Sequence, residues 1–499
     1  MNLISAIHAQ AQARPHSPAY MGRRTVTYSD LMREVGRAAG ALRHAGVKAG
    51  DVVAIIEAAP FWHITLTLAV AQLAAASVPL ASTAAAGINE EAAERCGVDY
   101  VIGGDPGIAQ RVPRVRAHFE GAAALFAEST ETVSEIVQAG PRDIWRIGFS
   151  SGTTGKAKAI RFDHQGSIAR CELMRDYFVV APGDRVSVLM PMTLPFSTSY
   201  WLRTLMYGGT LVNFSAALDG IRRFKVNILV TSTGNAMTMV RTARRAGGAS
   251  SPPAESLKAL FIGGASATPA FQELLRRHIC PNLNINYGAS EVGIVALADT
   301  QLQLADPSCA GRIVPWMEVQ AVDANDQPLG HGIAGRLRLR GPTLAAGYVP
   351  GSEDPADVPA FRDGWYYTND TGVVSADGLV HLSGREDDVI NLGGAKFPPS
   401  RIEKVIAKDP AVIECAVVLL HDRLGLPVLG AAVEASGNFD AQAARQRCRA
   451  ALGENMTPRD IVQMDSLPRN AAGKVQRDEL TAQLLQRLLL QHPAPTGVQ

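Results

Sequence analysis

Charge of one sign, paired cysteines and aromatic residues are all scarce in this chain of 499 residues. Lysine and arginine number 48 and aspartate and glutamate 47, a net charge of +1. That balance excludes binding to nucleic acid or to an anionic membrane through bulk electrostatics. The pairs Arg222-Arg223 and Arg244-Arg245 are too short to alter it and read as solvated helix faces. Six cysteines, at 96, 171, 280, 309, 415 and 448, form no CxxC pair and have no histidine at zinc spacing. They predict single buried thiols in a reduced, cytoplasmic setting, not a disulfide framework. The N-terminus lacks the basic start and apolar core of a signal peptide. Between Glu57 and Glu90 charge is missing altogether. The run is long enough to span a bilayer, but Gln72, Pro79 and many alanines insert poorly. A buried Ala-rich helix ending near Ala76, followed by a strand at Val78-Pro79-Leu80, is expected, with no integral membrane segment.

Apolar residues make up 47% and charged residues 19%, a globular balance that argues against disorder. The length allows about three domain-sized units. Apolar positions recur at helical spacing through Leu31, Val35, Ala38, Ala39 and Leu42, behind a cap at Thr27-Tyr28-Ser29-Asp30. Buried strands are expected at 52–56, 100–103, 186–190, 210–212, 227–231, 257–262 and 284–288, and further helices at 61–76 and 199–207. This alternation predicts parallel sheets with helices on both faces. From Glu318 to Leu339, short strands between Gly, Asp and Asn turns predict a β-rich subdomain. The boundary falls at residue 384. Residues 1–384 form a large α/β domain, and 385–499 a small α+β unit with helices at 399–408 and 441–452 and a strand at 415–419. The tail after Leu490 is expected to fray.

The stretch Phe149-Ser150-Ser151-Gly152-Thr153-Thr154-Gly155-Lys156-Ala157-Lys158 organises the chain. Small side chains let a ligand approach the backbone, and glycine permits turns that aim successive N–H groups inward. Hydroxyls add donors and the lysines add positive charge. A loop wrapping a polyphosphate between two strands has this chemistry; a flexible Gly/Ser/Thr linker is the alternative. A Walker A loop is excluded, because Gly152 and Gly155 are too close and Lys156 precedes Ala157.

This stretch resembles the phosphate loop of the adenylate-forming superfamily, which includes acyl-CoA synthetases, firefly luciferase and the adenylation domains of nonribosomal peptide synthetases. Ala157 and Ala159 depart from the family's Pro and Gly, whereas Lys158 keeps its place. Four downstream motifs occur in the family's order. Asn286-Tyr287-Gly288-Ala289-Ser290-Glu291 resembles Tyr-Gly-x-Thr-Glu, which implies Glu291 on Mg²⁺ and Ser290 on the α-phosphate. By the same resemblance Thr153 also serves Mg²⁺, and Gly263-Gly264-Ala265 passes along the adenine and the substrate. Gly364-Trp365-Tyr366-Tyr367-Thr368-Asn369-Asp370 implies Asp370 on the ribose hydroxyls. Asn369 stands where glycine is usual and is expected to tolerate left-handed geometry. Gly384-Arg385-Glu386-Asp387-Asp388 matches the hinge motif, with Arg385 toward the ribose or phosphates and Asp387 as pivot. Lys396, after Gly393-Gly394-Ala395, corresponds to a pantetheine or phosphate contact. Pro468-Arg469-Asn470-Ala471-Ala472-Gly473-Lys474 resembles the C-terminal catalytic loop and implies Lys474 as the lysine of adenylate formation. Arg336 departs from the family's Gly-Glu-Leu and is expected to alter a local salt bridge.

The resemblance implies ATP, Mg²⁺ and a carboxylic acid, then transfer of the acyl group from AMP to a thiol by a mobile C-terminal domain. The acceptor is coenzyme A or the phosphopantetheine of an acyl carrier protein acting in trans, since no carrier domain follows residue 490. A catalytically silent nucleotide-binding protein is the third reading; Lys474, Glu291 and Asp370 oppose it. Leu194, Pro195 and Phe196 fall where relatives line the acyl pocket and make it apolar. Amino-acid-activating relatives place Asp where this chain has Ser197. An aryl or fatty acid is therefore expected.

Overall fold

The computed structural model describes residues 2–82, 84, 87–150, 158–214, 217–245, 255–353, 359–386, 388–392, 395–421, 427–470 and 473–491, without the side chains of 217, 244, 245, 391, 395, 396 and 488–491. Two sheets pack around one apolar core. The smaller has six strands in the order Ala117–Phe119, Tyr100–Gly103, Val52–Ile56, Ala76–Pro79, β1 (Ile144–Phe149) and β2 (Ala159–Asp163). The first five are parallel, and β2 returns antiparallel to β1. Covered parallel strands are buried on both faces, which is why they read as unbroken apolar runs. The charge-free stretch is the helix Pro60–Gln72, buried from Ile64 to Gln72. It stops short of Ala76 because the chain turns at Ala74, with φ of 55°, and the next strand starts at Ala76. Among the described residues no helix is long and apolar enough to cross a membrane.

After β2 come α1 (His164–Glu172), β3 (Arg185–Leu189) and α2 (Pro195–Met206). α2 begins four residues before the expected Ser199. Proline at the first helical position has no N–H to lose and a φ already suited to the helix, so the segment expected to line the acyl pocket is helical from Pro195 onward. Then follow β4 (Ile228–Ser232), α3 (Thr233–Arg245), β5 (Ala259–Gly263), α4 (Pro269–His278), β6 (Leu283–Ala289), β7 (Gly293–Ala298), β8 (Gly335–Arg340), β9 (Trp365–Val374) and β10 (Leu379–Arg385). In the larger sheet β3, β4, β5 and β6 lie parallel in that order, and β7 reverses against β6. The sheet continues through Gly311–Ile313 to β10, β9 and β8, all antiparallel. The carboxyl ends of β4, β5 and β6 thus open on one side, where open α/β sheets bind ligands.

The C-terminal unit has a three-stranded sheet of β11 (Val412–His421), β12 (Pro427–Ala435) and β13 (Asp460–Gln463), covered by the helices Ser400–Ile406, Ala441–Leu452 and Arg477–Gln491. The second helix has the expected ends, with Asp440 capping the Gln442 and Ala443 N–H groups. Two apolar clusters belong to this unit alone. All six cysteines are free; five are buried and Cys415 is half-buried.

Candidate active site

β1 and β2 form the hairpin expected to flank the phosphate loop. The Ser150 N–H donates to the Lys158 carbonyl at 3.0 Å, and the Lys158 N–H donates to Ser150 Oγ at 3.1 Å. These bonds close the base of the loop. Ser151, Gly152, Thr153, Thr154 and Gly155 lie outside the described residues. Lys158 Nζ is 3.5 Å from Glu353 and 5.1 Å from the centre of the Tyr348 ring.

The tip of β6 carries Asn286, Tyr287 and Gly288, with Ser290 and Glu291 in the turn that follows. Glu291 is only 5% exposed, and its Oε1 accepts from the Tyr348 hydroxyl at 2.7 Å. Arg170 on α1 holds the turn from behind. Its guanidinium donates to the carbonyls of Ser290 at 3.0 Å, Glu291 at 2.8 Å and Thr343 at 2.8 Å. Lys158, Tyr348 and Glu291 therefore form a continuous path from the phosphate loop to the β6 turn. Asn286 faces the other way and donates to the Tyr200 hydroxyl.

Tyr287 reaches across to β9, where its hydroxyl donates to Asp370 Oδ2 at 2.9 Å. Arg385 is the cross-strand partner of Asp370 and donates to Oδ1 at 3.4 Å. Burial, then the neighbouring Asp370, raises the Tyr287 pKa well above its ordinary value. Burial, then Glu291, likewise raises that of Tyr348. Both phenols thus stay protonated donors. Asn369 lies within β9 and does not adopt the left-handed conformation expected from its place in the motif. Its carbonyl accepts from the Glu386 N–H at 2.7 Å. The Arg336 Nε donates to the Thr368 carbonyl at 2.7 Å and lies 3.6 Å from Glu386. Asp387 and the Lys396 side chain lie outside the description.

The residues expected to line the acyl pocket divide between two sides of α2. Phe196 packs against Gly263, where a Cβ would come within 3.0 Å of the ring. Its ring centre is 4.9 Å from that of Tyr200, which is 6.2 Å from Phe261 on β5. Gly264 and Ala265 continue from Gly263, and Asn286 is paired with Gly263 across β5 and β6. Pro195 turns instead toward β1, within contact of Gly148. Leu194 is the half-buried residue preceding the helix. Ser197 is fully buried, and its hydroxyl has no partner.

Lys474 follows a loop pinned to the large domain. Gly473 has φ of +82°, and a Cβ on it would meet Ser232 Oγ at 2.7 Å and the Gly234 nitrogen at 2.9 Å. A Cβ on Gly234 would in turn meet the Gly473 Cα at 2.9 Å. The loop is closed internally by Asn470, whose side chain accepts from the Lys474 N–H at 3.0 Å. Arg469 pairs with Glu414 on β11, and Arg241 of α3 pairs with Glu434 on β12. These two glutamates are cross-strand neighbours, so each arginine relieves the repulsion between them. Thr268 donates to the Ile413 carbonyl, and Ile413 itself enters an apolar cluster otherwise made by the large domain.

The pattern of the AMP-binding enzyme family matches residues 7–349, and that of the AMP-binding enzyme C-terminal domain matches residues 401–474. The chain belongs to the AMP-binding enzyme family. This AMP-binding enzyme is accordingly an AMP-forming acid–thiol ligase of the adenylate-forming superfamily. It is 26% identical over 494 residues to a feruloyl-CoA synthase of Amycolatopsis sp., covering 94% of this chain and 96% of that protein. It is 29% identical over 398 residues to the 3-hydroxybenzoate–CoA/4-hydroxybenzoate–CoA ligase of Thauera aromatica, covering 76% and 72%. Among solved structures, the anthranilate CoA ligase AuaEII in complex with anthranoyl-AMP superposes with a TM-score of 0.84 at 21% identity, covering 98% of each chain. ATP-bound MatB from Rhodopseudomonas palustris gives 0.82 at 21% identity, covering 97% of this chain and 98% of that one. At this identity the two structures speak for the fold.

Three groups of the AMP-binding enzyme escape a motif search: Tyr348 on Glu291, Arg170 behind the β6 turn, and Ser232 with Gly234 beneath the lysine loop. Each acts through a partner more than 50 residues away in sequence. Tyr348 alone leaves a local trace, as an aromatic residue after the small run Ala345-Ala346-Gly347.

Proposed function

We propose that the protein is an AMP-forming carboxylate–CoA ligase for an uncharged aryl acid. The observation that carries this reading is the aromatic wall of Phe196, Tyr200 and Phe261 beside Gly263. Asn286 supplies polarity there, Ser197 no charge. An ammonium buried against that wall without a carboxylate would cost several kcal/mol. Asn286 Oδ1 is buried without a partner and suits a ring hydroxyl or amino donor. The names of the relatives, feruloyl-, hydroxybenzoate– and indoleacetate–CoA ligases, lean the same way.

A carboxylate resists thiols at neutral pH because its leaving group is poor, and transfer to AMP makes a reactive mixed anhydride. The first step brings two anions together, so the site must align and neutralise them. In this reading the phosphate loop and Lys158 take the polyphosphate, Asp370 takes the ribose, and Lys474 meets the charge developing between carboxylate and α-phosphate. Glu291 offers a hard oxygen ligand and, with Thr153, would hold Mg²⁺, which neutralises phosphate charge when bound. The docked Gly473 loop suits this step. Thiol attack requires the C-terminal unit to turn away, with Asp387 as pivot.

Pyrophosphate release is measured with ATP and a panel of aryl, fatty and amino acids, and the product is identified by mass after adding CoA or a holo-carrier protein. Robust turnover of hydroxylated or amino-substituted aryl acids with CoA is expected. Turnover confined to amino acids would overturn the aryl assignment, and acyl transfer confined to the carrier protein would overturn the CoA assignment.

A further inference from the structure

The side of α2 opposite Phe196 lines a cavity of about 20 Å³, together with Trp145, Arg146, Ser167 and Arg170. That is room for one water-sized guest. Its surroundings hold an unusual amount of positive charge. Arg146 and Arg203 are each 1% exposed and Arg170 is 7% exposed, and among the described residues none of the three pairs with a carboxylate. Arg170 spends its donors on three carbonyls and lies over the Phe162 ring at 4.9 Å. Arg203 donates to the Arg170 carbonyl and lies over Phe178 and Tyr200.

Two of them keep donors unused, Arg203 at Nε and Nη1 and Arg146 at Nε. Of the two, only Arg146 lines the cavity. It makes long bonds of 3.4 Å to Thr67 and 3.5 Å to Ser77 and one of 3.1 Å to the Met192 carbonyl, and its Nε has no partner. His63, also 1% exposed, is kept neutral by burial and by the nearby Arg146, with a pKa lowered to about 3, and adds no charge. The neighbouring acids are already engaged. Asp163 pairs with Arg142 and caps α1, and Glu291 accepts from Tyr348. Ser167 accepts from Trp145 Nε1 at 2.7 Å, which leaves its O–H to donate. The N-terminus of α2 adds positive potential, since Leu194 caps it with no side-chain bond. Burial pulls the Arg146 pKa down only to about 9, so the group stays charged at neutral pH. An interior rich in donors and poor in acceptors is costly unless a counter-charge enters it.

We propose that this cavity is a binding site for one small inorganic anion, chloride under ordinary buffer conditions, held by Arg146 with the Ser167 hydroxyl. Phosphate and sulfate are too large for it. The anion does more than balance charge. Arg146 holds the Met192 carbonyl in the segment leading to α2, and Arg170 holds the carbonyls of Ser290 and Glu291. Occupancy therefore stiffens both walls of the catalytic cleft from behind. The proposal does not depend on which acid or thiol the enzyme uses.

Crystals of the full chain soaked in sodium bromide test it directly. An anomalous peak within hydrogen-bonding distance of Arg146 is expected, and it should be lost in Arg146→Met. In parallel, thermal unfolding is followed in sodium chloride and sodium gluconate at matched ionic strength. The wild type should gain a few degrees in chloride along a single-site saturation curve, and the variant should not. If the variant fails to fold, the wild-type bromide map and salt series still decide the matter. Bromide at surface sites only (an adventitious ion only), no chloride-specific stabilisation of the wild type, or equal chloride dependence in a folded variant would each overturn it.

Discussion

The turn after β6 and the loop before Lys474 belong to one proposed catalytic constellation, yet they are positioned by opposite means. Glu291 is built in. It sits at the tip of a strand in the middle of the larger sheet, with Arg170 gripping its backbone and Tyr348 its carboxylate. Lys474 is docked. Its loop rests on two glycines that touch backbone to backbone, and the contacts of its unit with the large domain include the Arg241–Glu434 ion pair, the Thr268 hydroxyl and Ile413. Small polar contacts of that kind are typical of interfaces between domains that move. In the proposed reading, the group that would hold a metal and a phosphate in register is welded to the sheet, whereas the group that would serve one half-reaction is held by contacts that can be released.

The largest expected effect comes from Lys474→Ala. Loss of one preorganised donor costs about 10²–10³ in rate, and that loss should fall on pyrophosphate release from acid and ATP. Supplied with synthetic acyl-AMP and a thiol, the same variant should turn over at nearly the wild-type rate. Equal loss in both assays would mean that Lys474 does not serve adenylate formation alone.

On the built-in side, Tyr348→Phe removes a hydrogen bond to a buried carboxylate. Such bonds contribute about 1.5–3 kcal/mol, so ATP turnover should fall about ten-fold or more. Limited proteolysis between residues 384 and 400 should be unchanged. Faster cleavage there would show that Tyr348 also governs docking, and the contrast between the two regions would fail.

The smallest effect is assigned to Gly473→Ala. Left-handed geometry costs a non-glycine residue about 1–2 kcal/mol, and the added methyl collides with Ser232 and Gly234. Adenylate formation should slow about 5–30-fold, with the thiol step from synthetic acyl-AMP spared and cleavage at the hinge faster. A variant that docks normally would indicate that the close glycine contact is not what seats the loop.

These contrasts also explain what the sequence could reveal. The strands read clearly because a covered parallel sheet demands long apolar runs. Asp370 and Arg385 read clearly as parts of short motifs, and the strands bring them together as direct cross-strand neighbours. The helical start at Pro195 was hidden because proline signals both a break and a beginning. Asn369 misled for a related reason: a glycine position in a motif suggests left-handed backbone, but here the residue is simply part of β9. Arg146 and Arg170 carry no local signal, since an arginine in a strand or a helix is ordinary until its distant partners are known. The docking surface was equally silent, being made from small residues and carbonyl groups.

The six unpaired cysteines acquire a meaning beyond redox compartment. Burial raises the thiol pKa of Cys96, Cys171 and Cys280 to about 11 and moves Cys309, Cys415 and Cys448 in the same direction. At pH 7 a thiol with a pKa of about 11 is ionised in about one molecule in ten thousand. An acyl adenylate is a strong electrophile, and any accessible thiolate nearby would compete with the intended acceptor. By keeping its own sulfur protonated and out of reach, an enzyme that hands acyl groups to a thiol avoids acylating itself.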